Sequence, residues 1–82
     1  MTAKYTPNSF EDFFYGTCIP QWEYVKQLDS SARFGQVFYN TLHSFRKDLA
    51  EQIHGTELDP FYKQHVPQET LAWVVENWSP TE

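Results

Sequence analysis

The sequence predicts an all-α fold, a single small bundle of four to five helices with the longest within about residues 31–54. Six apolar residues recur at steps of four, four, three, four and four, which places them on one face of an α-helix. They are Phe34, Phe38, Leu42, Phe45, Leu49 and Ile53. No segment shows sustained period-two alternation or an Asn-Gly or Asp-Gly hairpin signal, so no strand pattern competes. The length of 82 residues suits one small domain.

The first predicted element is a short helix after an extended arm. Residues 1–8 are expected to form the arm, because Pro7 disfavours helical backbone at the residue before it. Asn8 or Ser9 can then cap a helix of one to two turns. Gly16 stands where that helix is expected to end.

A second helix is expected from Pro20 to about Leu28, after a connector at residues 17–19. Proline suits the first helical position because its fixed φ and missing N–H cost nothing there. The residues expected to face inward are Trp22, Val25 and either Leu28 or Ile19.

The long helix is predicted to start at a Ser30 or Ser31 cap and to end at Gly55. It would be about 24 residues, or roughly 36 Å, which is long for a small domain. A break near residues 44–47 is therefore expected. Gly35 lies near the middle of the apolar face, where glycine indicates close approach of another helix or a flat aromatic ring.

The C-terminal part is predicted to begin with Asp59 as the cap of a helical turn over residues 60–64, which would place one aromatic residue on the core. Residues 66–69 then open the last helix. Its expected apolar face is Leu71, Val74, Val75 and Trp78. The single helical domain would span residues 9–78, with residues 79–82 as a mobile tail.

Charge and composition disfavour several classes of function. The formal net charge is −5, from 11 acidic and 6 basic residues. Only Arg46 and Lys47 are adjacent basic residues, so direct nucleic-acid binding is not expected. Cys18 is the single cysteine, which fits a reducing compartment. No apolar leader or membrane-length stretch is present, so a cytoplasmic protein without membrane contact is expected.

No residue pattern predicts catalysis, a cofactor or a metal site, and the chain is not expected to be an enzyme. Cys18 precedes a helix start, but an idle or buried cysteine is the more common case. His43 and His54 would lie about 16 Å apart on a straight helix, too far for one metal ion. Three scattered glycines cannot form a phosphate-binding loop.

Several polar and aromatic residues are candidates for partner binding. Four of them, Gln36, Asn40, His43 and Lys47, follow each other at steps of four, three and four and form a polar row along the predicted long helix. This row could contact a partner or a small ligand, although polar rows of this kind are more often simply exposed to solvent. Arg46 could be an interface anchor, but pairing with Asp59 or with acidic residues of the last helix is favoured. The candidates are Gln36, Tyr39, Asn40, His43, Lys47 and Trp73.

Part of the chain also resembles a known group of sequences. Residues 33–62 contain an RFGQ start, an R-x-DL segment and a GT-x-x-DPFY segment. In this pattern they resemble small, uncharacterised proteins from bacteriophages and bacteria. Members of that group have proline where this chain has Lys47, which supports a helix break there. The resemblance implies a phage-like origin and no particular activity.

Together these observations predict a small acidic, non-catalytic protein-binding module, of the phage modulator or inhibitor type, that masks its target sterically. One alternative is an oligomeric protein that binds or sequesters a small ligand, with the polar row lining a site between subunits. Another is a minor structural component of a larger assembly. A protein partner is expected, and a homo-oligomer stays open.

Overall fold

The computed structural model describes residues 9–78, and within them the chain is helical with no β-strand, so the predicted all-α class is confirmed. The predicted arm at residues 1–8 and tail at residues 79–82 lie outside this range. The elements are α1 (Phe10–Phe13), a π-helical segment (Phe14–Cys18), α2 (Ile19–Leu28), α3 (Phe34–Phe45), α4 (Lys47–Ile53) and α5 (Gln68–Trp78). No helix in residues 9–78 combines the length and apolar character needed to cross a membrane.

The first three elements run on as one helical segment, so the predicted stop at Gly16 and connector at residues 17–19 are wrong. Ser9 caps the start as expected, its side chain accepting the Asp12 N–H at 3.2 Å. The π-helical segment explains how the helix continues past Gly16. Its wider spacing keeps Phe13 and Cys18, five residues apart, both fully buried, whereas α-helical spacing would separate them around the axis.

The predicted long helix is broken at Arg46, as expected from its length. Arg46 has φ −136° and ψ 70°, so α3 ends just before it and α4 begins just after it. With 12 residues, α3 is the longest single α-helix of residues 9–78. The predicted serine cap is wrong, because Asp29 folds back to accept the backbone N–H and hydroxyl of Ser31 at 3.0 and 2.7 Å. Gly55 has φ +79° just beyond α4, the left-handed conformation expected of it.

The core lies between α1, the π segment, α3, α4 and α5. Its most buried apolar residues are Phe13, Cys18, Phe38, Leu42, Leu49, Ala50, Ile53, Val74 and Trp78. Of the predicted apolar face, Phe34 and Phe45 are only half-buried. On α5 the buried face is Thr70, Val74 and Trp78, at steps of four, which leaves Val75 52% exposed. The Thr70 hydroxyl donates to the Leu58 carbonyl at 2.7 Å, which satisfies its burial.

Close packing at Gly35 is confirmed, but the neighbour is the loop at residues 54–67. The Gly35 N–H donates to the Lys63 carbonyl at 3.2 Å. A Cβ on Gly35 would lie 2.5 Å from that oxygen and closer still to the carbonyl oxygen of Pro60. Residues 60–64 form turns, so the predicted short helix is wrong. Asp59 organises the loop, its carboxylate accepting the Phe61 N–H at 3.0 Å.

Candidate functional site

Helix α2 differs from the rest of the domain because none of its side chains is fully buried. Trp22 and Val25 are half-buried, and the Trp22 ring meets Phe34 edge to face at 5.5 Å. Tyr24 is 60% exposed, and Leu28, one turn further along, is 70% exposed. Of the two alternatives predicted for the third inward-facing residue, Ile19 is half-buried and Leu28 is exposed. Among the helical elements of residues 9–78 only the π segment and α3 pack against α2, so no other described helix covers its outer face.

A groove of about 610 Å³ lies between α2 and α3. Most of its walls are uncharged polar side chains, and its apolar part is contributed by valine, alanine and phenylalanine. The lining residues are Thr17, Gln21, Val25, Asp29, Ala32, Gln36, Val37, Asn40, Thr41, Ser44 and Phe45. The groove therefore combines many hydrogen-bonding groups with a smaller apolar part, and it is more polar than most small-molecule sites, whose lining is mainly apolar.

The predicted polar row is divided by this geometry. Gln36 and Asn40 line the groove. His43 lies outside the groove, and Lys47 lies on α4, beyond the break. The prediction of a continuous row depends on one straight helix, but α3 ends at Phe45 and the backbone changes direction at Arg46. The structure therefore brings together two of the four residues.

Tyr39, another predicted contact residue, is only 9% exposed. Its ring lies between two histidine rings, with centroid distances of 6.1 Å to His43 and 5.8 Å to His54, and it meets Phe61 edge to face at 5.7 Å. Burial raises the pKa of Tyr39, and the nearby Asp59 carboxylate raises it further. Tyr39 therefore joins α3 to α4 and the loop more than it offers a surface to a partner.

Trp73, the last of the six candidates, and Arg46 both contact other parts of the fold. Trp73 is half-buried against the core. Arg46 takes the structural role that was favoured, but with other partners, namely the Asp48 carboxylate at 3.0 and 3.1 Å and the Trp78 carbonyl. Its guanidinium also lies 5.2 Å from the Trp78 ring centroid. The hydrogen bonds from Arg46 lower the pKa of Asp48.

Chemical reactivity is not evident in the described part of the chain. Burial raises the pKa of the Cys18 thiol to about 12, so it stays protonated near neutral pH and packs as a small apolar residue. Residues 9–78 hold no group of three or more His, Cys, Asp or Glu side chains placed to bind a metal ion.

Sequence analysis missed the contribution of α2 to the groove. Thr17, Gln21, Val25 and Asp29 follow each other at steps of four, a spacing that places them on one helix face. The pattern is present in the sequence, but the predicted connector at residues 17–19 places Thr17 outside the helix and so interrupts it.

Comparisons of this chain with protein-family models, with curated proteins and with solved structures find no match.

Proposed function

We propose that this protein is a small acidic, non-catalytic module that binds another protein through the outer face of α2 and acts by covering a site on its target. The observation that carries the proposal is a helix without a buried side chain that exposes Tyr24 and Leu28 one turn apart. Short helices owe most of their stability to packing, so such a helix has a face to offer a partner. Tyrosine is enriched at protein interfaces.

The charge of the chain supports a basic partner. The net charge is −5. Four of the five Lys and Arg side chains in residues 9–78 already contact acceptors within the chain. Near the exposed apolar pair, Glu23 is already paired with Lys26 at 3.3 Å, and Asp29 follows α2 at the edge of the groove, so the preference for a basic partner depends mainly on the net charge of the whole chain. A basic surface with an apolar side chain at its centre would complement this arrangement and associate faster at low salt.

The biological setting belongs to the same proposal. The domain measures 39 × 34 × 17 Å, enough to cover a functional site without any chemistry of its own. The resemblance to phage and bacterial sequences favours a modulator or inhibitor. The single cysteine favours a cytoplasmic setting.

A pair of matched variants tests the proposed surface. Y24S with L28S removes the exposed apolar pair on α2, and Y62S with V75S removes two exposed side chains elsewhere. We expect a stoichiometric basic partner from a lysate of the source organism to bind the wild type and the control pair but not the α2 pair. Raised salt should weaken the complex.

Two results would overturn this proposal. One is recovery of the same partner by the α2 pair at the wild-type level. The other is failure of the wild type to capture any stoichiometric partner. Circular dichroism of both pairs must match the wild type, because all four residues are exposed and their loss should leave the fold intact.

A second candidate function is binding of a small ligand, and the groove between α2 and α3 favours it. Gln36 and Asn40, expected to line a site between subunits, line a groove within one chain. Light scattering with and without added small molecules tests whether an oligomer is needed. The third alternative, a minor component of a larger assembly, stays a prediction.

A further inference from the structure

The walls of the groove carry three carboxamide groups. Gln21 comes from α2, and Gln36 and Asn40 come from α3. Each carboxamide offers two N–H donors and a carbonyl acceptor. Within residues 9–78 none of the three makes a side-chain hydrogen bond, whereas the carboxamide of Asn77 donates to a backbone carbonyl at 2.8 Å. These groups can meet a ligand from two sides with both donors and acceptors.

Two of the three hydroxyl groups in the groove are less available as donors. The Thr41 hydroxyl donates to the Val37 carbonyl at 2.7 Å, and the Ser44 hydroxyl donates to the Asn40 carbonyl at 3.2 Å. Their oxygen atoms can still accept hydrogen bonds. On the α3 side of the groove, hydrogen-bond donation to a ligand therefore depends mainly on the carboxamides of Gln36 and Asn40.

The charge of the groove disfavours anions. None of its lining residues is Lys, Arg or His, and Asp29 is the only ionisable one. Hydrogen bonds from Ser31 lower the pKa of Asp29, so it carries a negative charge at neutral pH. A phosphate or carboxylate group placed here would lose hydration and meet a like charge without a compensating cation.

The floor of the groove is apolar and packed. Val37 is 6% exposed there, and Val25 and Phe45 lie half-buried around it. The volume of about 610 Å³ lies in the range of roughly 300–1,000 Å³ that is common for small-molecule sites. The floor can take the apolar part of a ligand while the walls bind its polar edge.

We propose that the groove between α2 and α3 binds a small, uncharged molecule, of nucleoside or sugar size, that presents both hydrogen-bond donors and acceptors. Anionic counterparts of the same molecule are rejected. This inference rests on the second candidate function, ligand binding, and adds the chemical class of the ligand.

Matched probes that differ by one phosphate group test the inference. Adenosine against adenosine monophosphate, and glucose against glucose 6-phosphate, are titrated into ¹⁵N-labelled full-length protein. Amide and carboxamide signals of Gln21, Gln36 and Asn40 report on the groove, and the amides of α5 report on a distant region. We expect at least one uncharged probe to shift the groove signals alone, and its phosphorylated partner to bind at least about tenfold more weakly.

The two levels of the proposal fail in different ways. If no uncharged or phosphorylated probe shifts the groove signals, ligand binding at this groove is contradicted. If the phosphorylated probes shift them as strongly as the uncharged ones, the groove binds ligands but the inferred class is wrong.

A variant pair ties the binding to the groove wall. Q36E replaces a carboxamide donor by a carboxylate, and Q52E makes the same change on an exposed part of α4. We expect Q36E to weaken the uncharged probe by about tenfold and Q52E to leave it unchanged. Equal effects of the two changes, or no effect of either, would place the binding outside the groove.

Discussion

The two sides of helix α3 are packed in opposite ways. On one side the loop at residues 54–67 comes so close that Gly35 has no room for a side chain. On the other side α2 packs less closely against α3, and a groove of about 610 Å³ lies between the two helices. One helix therefore serves both as the centre of the core and as the wall of an open site. The elements that pack α3 into the core therefore differ from the helix that borders the groove.

The buried residues follow this division. Phe38 and Leu42 of α3 are fully buried members of the core cluster, whereas α2 offers only half-buried Trp22 and Val25. Burial of a large apolar side chain stabilises a fold by about 1.5–3 kcal/mol, so most of the stability lies away from α2. Changes on the surface of α2 should consequently alter binding more than folding.

The largest effect is expected at the tight side. G35A should lower the free energy of unfolding by about 3 kcal/mol, because the new Cβ would collide with two backbone carbonyls that cannot rotate away. G16A is the matched control, since nothing lies within 4 Å of its Cβ. Alanine there should stabilise the helix by up to about 1 kcal/mol. Urea unfolding measures both, and a G35A loss below about 1 kcal/mol would contradict close packing.

Substitution of Arg46 should cause the second-largest loss of stability. R46M removes the hydrogen bonds to Asp48 and Trp78 and the contact with the Trp78 ring, and should cost about 2 kcal/mol. K47M next to it removes only an exposed ion pair of 3.9 Å and should cost less than about 0.5 kcal/mol. Thermal unfolding of the two proteins should separate clearly. Equal melting temperatures would show that Arg46 does not join α5 to the helix break.

One pair of identical substitutions compares the two regions directly. V74A in α5 empties a fully buried position and should cost about 2 kcal/mol. V25A in α2 shortens a half-buried side chain and should cost about 0.5 kcal/mol, partly offset by the helix preference of alanine. Denaturant titration gives both values. Equal losses would mean that α2 is packed as firmly as α5.

The smallest expected effect depends on pH. The pKa of Asp48 is lower in the folded chain than its unfolded value of about 3.9, so its contribution is present above that value and is lost as pH falls through the folded pKa. D48N should therefore be less stable than wild type at pH 7, by under about 1 kcal/mol because the carboxylate is exposed. The difference should decrease as the pH falls below the unfolded pKa of about 3.9. A difference that does not decrease there would have another origin.

The sequence predicted the centre of the fold because that part depends on local spacing. The step pattern placed Phe38 and Leu42 on one helix face, and the length of the pattern predicted a break near residues 44–47, which the structure has at Arg46. Gly35 indicated close approach because glycine within an apolar face needs a steric reason. Its neighbour, a loop backbone, could not be named from local sequence.

The parts that failed depend on long-range contacts. Gly16 is compatible with a helix end, but burial of Phe13 and Cys18 carries the helix past it. The choice between Ile19 and Leu28 as the inward-facing residue depends on which described helices pack against α2, which no local pattern reveals. At the candidate site, sequence alone found Gln36 and Asn40 but not the opposite wall from α2. That wall needs the helix pair to be placed first.

Native-state amide hydrogen exchange of the full-length protein tests most directly whether α2 is held less firmly than the core. The free energy of opening for amides in α2 should be lower than that for the slowest amides of α3 by roughly 2 kcal/mol or more, because α2 has no buried side chain to lose. Opening of α2 amides at the same free energy as the α3 core would show that α2 belongs to the cooperative core, and would contradict its assignment as a face left free for a partner.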